Sequence, residues 1–466
     1  MIQTVRKAWG IPELRKKITF TLLILLIYRI GSAIPVPFID GRQLEATFES
    51  MGSTFLGLLN MMTGGALSMA TLFALGIQPY INSSIIIQLL TVAIPALERM
   101  QREGGEEGKK KIQAITRYST VAIALLQAWG YYSILKTNYL LESTGIWPAL
   151  VIIVSFVAGS SFLMWLGEQV NEFGVGNGIS MILFAGIISR IPSAISGMME
   201  GVTIWSGVKD GLITREGLIS SFTAQYPAQK ADRIADMADQ YLSRAMAPWV
   251  IPLILLGVLL LIVLIVFVSD AERRIPVQYA KRQVGRKMYG GQSTHLPMKV
   301  NMSGVLPIIF AQSIASLPVT IWTFVGIPEK ETTAYSIYSF FDSKSILYMV
   351  VYFLMIIGFS YFYSTIQFNP IEISNNLKKN GGFIPGFRPG KPTSDFIAKV
   401  LSKITLFGAI YLGIVAIVPL IAGKFLPTSA LAIGGTSVII VVGVALETVQ
   451  ALESQMLMRQ YKGFLE

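Results

Sequence analysis

What limits this chain most is where its apolar residues fall. They are gathered into blocks of about 17–25 residues, the length an α-helix needs to cross the hydrocarbon core of a bilayer. Such blocks lie near 18–34, 71–94, 117–137, 148–167, 178–197, 248–269, 303–325, 345–366, 402–422 and 431–451. Each is expected to be helical, because in lipid every backbone N–H and C=O must find its partner within the segment. Composition agrees: 53% of the 466 residues are hydrophobic and 14% are charged, where a soluble domain carries about a quarter charged. The chain therefore reads as an all-α, polytopic membrane protein with ten transmembrane helices. The first block is expected to stay as a span, since it is long and Pro35–Pro37 follows it in place of a small-residue cleavage site.

Charge sets the orientation. The net charge is +11, and the positives cluster in alternate loops. Arg6, Lys7, Arg15, Lys16 and Lys17 precede or open the first block, and Arg99, Arg102, Lys109–Lys111 and Arg117 join the second to the third. Arg273, Arg274, Lys281, Arg282, Arg286, Lys287 and Lys299 lie between the sixth and seventh. Lys378, Lys379, Arg388, Lys391, Lys399 and Lys403 lie between the eighth and ninth. By the positive-inside rule both termini face the cytoplasm, which requires an even number of spans. Ten spans divide into halves of five, 1–197 and 248–466, and an odd number per half inserts the second half upside down. Inverted repeats place the functional path at the interface between halves. The polar stretch 198–247 separates them on the outer side, and its KADRIADMADQYLSRAM has the rhythm of a short amphipathic helix.

Three segments do not fit the role of simple connectors. The cytoplasmic loops 270–302 and 367–403 are long and rich in Arg, Lys, Gly and aromatics. They are either inward anchors or a docking surface, where Arg offers bidentate contacts to carboxylate or phosphate. The apolar stretch Phe55 to Ser68, FLGLLNMMTGGALS, is too short to span and is interrupted by Gly64 and Gly65. It is either a half-helix buried in a protein cavity or a segment skimming the lipid.

Several long motifs point to one family. TLFALGIQPYINSSIIIQ (71–88) and WLGEQVNEFGVGNGISMILF (165–184) resemble the two signature segments of the SecY family, the central subunit of the Sec protein-conducting channel. KRQVGRKMYGGQSTHLPMKVN from Lys281, FNPIEISNNLKKNGGFIPGFRPGKPT from Phe368, and GGTS at 434–437 are similar to further family blocks, in the same order. The likeness is to the bacterial branch and runs nearly end to end. The outer loop between helices five and six is longer than the family's.

The resemblance implies an hourglass pore between the two inverted halves, closed by a ring of Ile77, Ile81, Ile179, Leu183, Ile309 and Ile440. The pairs 77/81 and 179/183 are spaced i, i+4, so each lies on one helical face, and a ring of branched aliphatics closes a path by leaving water nothing to bond to. Ordinary helix packing would use the same residues. The 55–68 segment would be a plug over the outer funnel, with Asn60, Gly64 and Gly65 suited to an element that leaves its seat at low cost. A lateral gate would lie between helices two and seven, with Asn82, Ser83, Ser84 and Gln88 facing Gln312, Ser313, Ser316 and Leu317. The same polar residues could simply glue two helices, at about 0.6 kcal/mol per contact. Arg388 would couple the channel to the SecA ATPase, and Lys281, Arg286 and Lys287 would form the loop shared by SecA and the ribosome. The implied partners are these two, the small membrane subunits SecE and SecG, signal-sequence-bearing polypeptides, and membrane lipid. The implied location is the bacterial cytoplasmic membrane.

Some chemistries are disfavoured by the sequence itself. GEEGKKK and FRPGKPT lack the spacing of a phosphate-binding loop, so no ATP site and no cofactor is expected. With no cysteine and the single histidine His295, neither a thiol nucleophile nor a histidine metal cluster is available, which weakens an intramembrane enzyme. A secondary transporter is the remaining alternative. Such carriers bury carboxylates at mid-membrane, whereas Glu168 and Glu447 fall near the cytoplasmic ends of their spans.

Overall fold

Helix occupies each of the ten apolar blocks, and it breaks where Pro and Gly interrupt them. The structure is a computed structural model that describes residues 2–41, 44, 60, 62–102, 104–137, 140–225, 231–279, 282–284, 287–289, 293–302, 304–325, 332–341, 345–425 and 435–462. The N-terminal part holds α1 (Ile2–Trp9), α2 (Pro12–Gly31), α3 (Gln78–Ala93), α4 (Pro95–Arg102), α5 (Gly105–Thr137), α6 (Ile146–Phe173) and α7 (Gly178–Ser189). Then come α8 (Ile191–Lys209), α9 (Arg215–Gln225), α10 (Ala231–Leu242) and α11 (Val250–Ser269). Strands β1 (Glu272–Tyr279), β2 (Arg282–Val284), β3 (Lys287–Tyr289) and β4 (Ser293–Lys299) lead to α12 (Leu306–Ala315), α13 (Leu317–Val325) and α14 (Thr333–Phe341). The chain ends with α15 (Ile346–Gln367), α16 (Pro370–Lys379), β5 (Gly382–Phe383), α17 (Lys391–Phe425) and α18 (Gly435–Lys462).

Among the described residues, six helical stretches are long and apolar enough to cross a membrane, and α3 with α4, bent by 105°, would make a seventh. The remaining blocks fall short for local reasons. α2 opens on Glu13, Arg15, Lys16 and Lys17, and α5 opens on Glu106, Glu107 and Lys109–Lys111. The seventh block is divided at Ser316 into α12 and α13. The fifth continues past its expected end, because α8 follows α7 directly and runs to Lys209. The termini lie together: Thr4 Oγ1 donates to Glu453 Oε1 at 3.0 Å, and Ala8, Leu14, Val175 and Leu452 share one small core.

The helical reading needs one addition. The two long basic loops fold together around a three-stranded antiparallel sheet of order β4-β1-β5, which apolar block lengths do not reveal. β1 and β4 form a hairpin within one loop, and Gln278 and Tyr279 of β1 pair with Phe383 and Gly382 of the other. Ile275, Val277, Met298, Leu377, Ile384, Ile397 and Leu401 form its own core. In the 198–247 stretch, α8 ends at Lys209 and α9 and α10 follow, α10 lying within the segment whose rhythm suggests a short helix. Asp239 of α10 receives both Nε (2.6 Å) and Nη2 (2.9 Å) of Arg215 from α9, and Ile234 and Ala238 are buried.

The central core draws on both halves of the chain, from Ile24 and Tyr28 of α2 to Val444 of α18. Close approach is set by glycine. A Cβ on Gly159 of α6 would overlap the Leu72 carbonyl oxygen, which fixes the turns before α3 against α6. Gly159→Val should therefore cost about 1–3 kcal/mol as an overpacked core substitution. Thermal unfolding of detergent-solubilised protein checks this: the midpoint should fall, and an unchanged midpoint would show that the contact is not tight.

Candidate functional site

The six expected ring residues belong to one core. Ile77, Ile81, Leu183, Ile309 and Ile440 are buried in the central core, and Ile179 packs against it partly buried. Each is placed by a specific local device. Gly76, at φ +58°, turns the chain into α3, and its carbonyl accepts the Ser160 hydroxyl of α6 at 3.1 Å. Ile77 is the N-cap of α3, and its carbonyl accepts Ile81 N–H at 3.1 Å, so both stay on one face. Asn177 caps α7 by accepting from Ile179 N (3.0 Å) and Ser180 N (3.3 Å). Val305, the N-cap of α12, packs on Gly443 of α18, the helix that carries Ile440. Gly167 of α6 lies 3.6 Å, at its would-be Cβ, from Ile77, Ile179 and Ile182. A side chain larger than alanine there would push the ring residues apart.

Above the ring lies the 60–76 segment. A cavity lined by Tyr28, Met62, Thr63, Gly76, Ile77, Gln78, Ile182 and Leu183 separates it from the ring. Of the 55–68 element, residues 55–59 and 61 lie outside the described residues. The rest is firmly seated, not loosely held as Asn60, Gly64 and Gly65 suggest in the sequence. Asn60 Oδ1 accepts Ser68 N–H at 2.9 Å, and its carbonyl accepts Gly65 N–H at 2.8 Å. The hydroxyl of Tyr28 donates to Thr63 O (3.1 Å), and that of Tyr131 donates to Leu67 O (2.6 Å). Gly64 and Gly65 have positive φ, and a side chain on either would strike Ser189 and Gly186 or Arg190. Their role is close packing, and Tyr28 and Tyr131 were missed because a lone tyrosine in an apolar span carries no pattern.

The seam between helices two and seven is narrower than the sequence suggested. α3 packs mainly on α5, and α12 mainly on α15, while α3 and α12 touch only lightly. Their contact is Gln78 Nε2 donating to Ser313 Oγ at 3.1 Å, with Asn82 Oδ1 3.5 Å from the same nitrogen. Gln78 was overlooked, although it stands four residues before Asn82 on the same face. Other expected gate residues point elsewhere. Ser83 is fully buried and donates to Thr116 O of α5 at 2.8 Å, holding α3 to its own half. Gln88 donates to Ser84 within its own helix. Ser316 Oγ donates back to Ser313 O, and Leu317 is exposed. Gln312 is buried, with its Oε1 lacking a hydrogen-bond partner.

On the basic side, Arg388 projects from a turn held open by Gly386 (φ +88°) and Gly390 (φ +108°). The turn is fixed from behind: Thr393 Oγ1 donates to Arg388 O and Ser374 Oγ to Gly390 O, both at 2.8 Å. Phe387 stacks on Phe396 with centroids 4.2 Å apart. Lys281 and Arg286 lie outside the described residues, and Lys287 begins β3.

The seam can be tested directly, since the chain has no cysteine. Gln78→Cys with Ser313→Cys should link rapidly through a short bismaleimide, read by gel mobility after cleavage between the two halves. Ser83→Cys with Ser313→Cys should not. Equal rates for both pairs would contradict this register.

The family model for SecY matches residues 71–449. Curated relatives named protein translocase subunit SecY align over the full length of both chains, at 42% identity in Halalkalibacterium halodurans, 40% in Bacillus subtilis and 40% in Streptomyces scabiei. Among solved structures, a protein-conducting channel covers 97% of each chain at TM-score 0.59 and 17% identity. Sec61 in a canine ribosome–channel complex covers 97% of each at TM-score 0.56 and 17% identity. With the family model matched over residues 71–449 and relatives at 40–42% identity over the full length of both chains, this chain belongs to the SecY family.

Proposed function

We propose that this protein is a channel that passes unfolded secretory polypeptides across the bacterial cytoplasmic membrane and releases apolar segments sideways into lipid. The observation that carries the reading is the ring. Branched aliphatic residues from both halves of the chain meet at the centre of a helical membrane protein, where they seal against water without a covalent or polar lock. The halves would be 1–197 and 248–466, with the 55–68 element as a plug rooted at Asn60–Ser68 and both termini cytoplasmic. The α3–α12 seam supports lateral release, since each helix packs on its own half and their contact is slight. A single interhelical hydrogen bond in a membrane is worth about 0.6 kcal/mol, a cost that an apolar signal helix binding at the seam offsets.

The chain carries no energy-converting chemistry of its own in this reading and is not an enzyme. Energy comes from partners at the basic loop domain: the SecA ATPase at Arg388, and the ribosome at Lys281, Arg286 and Lys287. The ribosome is the better supported of these, because related channels have been solved bound to ribosomes. SecE and SecG would complete the membrane complex. A solute carrier is disfavoured, because Glu168 is bonded to Arg117 at 2.8 Å, an arrangement that ties α6 to α5.

Two experiments bear on this reading. Ile81→Asn with Ile309→Asn should wet the ring and raise the ion conductance of resting channels in planar bilayers, and wild-type conductance would count against the seal. Arg388→Glu should abolish ATP-driven export into membrane vesicles while leaving the channel inserted. A wild-type rate there would remove Arg388 from the motor contact.

A further inference from the structure

An ionisable side chain inside a membrane span is costly and is retained for a purpose. Glu447 is such a residue, on α18 near its basic-side end, and neither the ring, the seam nor the docking surface uses it. Its carboxylate is set against the turn that leads into α12. Its Oε1 occupies the space a side chain on Gly304 would need, at the φ +62° turn that launches α12. Lys299, the last residue of β4, supplies the opposite charge that acts on it, and Tyr363 of α15 lies within its field.

The surroundings form a continuous mechanical chain. One turn further along α18, Gln450 Oε1 accepts Lys299 Nζ, and Gln450 Nε2 reaches Asp270 Oδ1 at 3.4 Å, at the end of α11. The base of the hairpin is closed by Val300 N–H donating to Ala271 O at 2.9 Å, and the Val300 carbonyl presses on Gly408 of α17. Residues 300–305 alone separate β4 from α12. A load on the basic loop domain therefore arrives at Lys299, and the next fixed point before the seam helix is the Gly304 turn braced by Glu447.

We infer that Glu447 is a positioning residue that couples the docking sheet to the lateral seam, holding α12 closed until docking elsewhere on the sheet draws Lys299 away. This rests on the reading of the α3–α12 seam as a gate. Glu447→Gln keeps the shape and removes the charge, while Lys299→Met breaks the same link from the water-exposed side and leaves the membrane core untouched.

The test uses the complete channel in vesicles, with Gln78→Cys and Ser313→Cys as the reporter and bismaleimide cross-linking rate as the readout. SecA held with a non-hydrolysable ATP analogue is the docking probe. Docking should slow cross-linking about tenfold in the otherwise unaltered channel, a coupling of about 1.4 kcal/mol. With Glu447→Gln or Lys299→Met the probe should bind with unchanged affinity yet slow cross-linking less than about twofold, below the range of such couplings. A full slowing in both variants overturns the inference, as does a loss of response that tracks weakened binding. No slowing in the unaltered channel overturns the gate reading itself, and this inference with it.

Discussion

Closing a polypeptide-sized path through a bilayer without closing it permanently depends on a seal that excludes water yet holds nothing. Branched aliphatic side chains meet that condition, because water confined among them has no hydrogen-bond partners and the open path dewets. The rest of the structure is arranged around gathering six such residues into one core. α3, α7 and α12 all begin at or just before the ring, at Gln78, Gly178 and Leu306, so the side chains sit in first turns positioned by caps and glycine turns. Gly167 and Gly443 then let α6 and α18 approach. The ring is the product of backbone choices around it as much as of its own isoleucines.

The polar contacts are distributed unequally, and that inequality gives the molecule its moving parts. Bonds within a half are buried and short: Ser83 to Thr116, Tyr131 to Leu67, Ser364 to Thr405. Across the seam stands Gln78 to Ser313, part-buried and between flexible side chains. A load that separates the halves meets least resistance there. The basic loop domain lies where such a load enters, since its sheet unites two loops from the second half and its last strand leads by a short turn into α12.

Much of this was legible in the sequence, and the losses have identifiable causes. Apolar block length located a helix in every block, because lipid leaves the backbone no alternative, and the i, i+4 pairs Ile77/Ile81 and Ile179/Leu183 stand at the starts of α3 and α7. The small sheet was not legible. β1 is closed by partners in a loop roughly a hundred residues away, and positive charge masked its alternating burial. The seam differs in detail because proximity in sequence groups the polar residues, whereas the helix faces bring Gln78 to Ser313 and turn Ser83 towards α5. Gly64 and Gly65 suit a loosely seated element in the sequence, whereas their positive φ and the crowding by Gly186 and Arg190 show them closely packed.

The central claim is that an extended polypeptide passes through the ring formed by the two halves. Site-specific photo-cross-linking tests this most directly, with a photoreactive residue placed in turn at Leu183, Ile309 and Ile440 in channels holding a secretory chain arrested midway. Adducts to the arrested chain are expected from all three positions and none from Leu259, which is exposed on the outer face of α11. Adducts from Leu259 equal to those from the ring, or none from the ring, would contradict it.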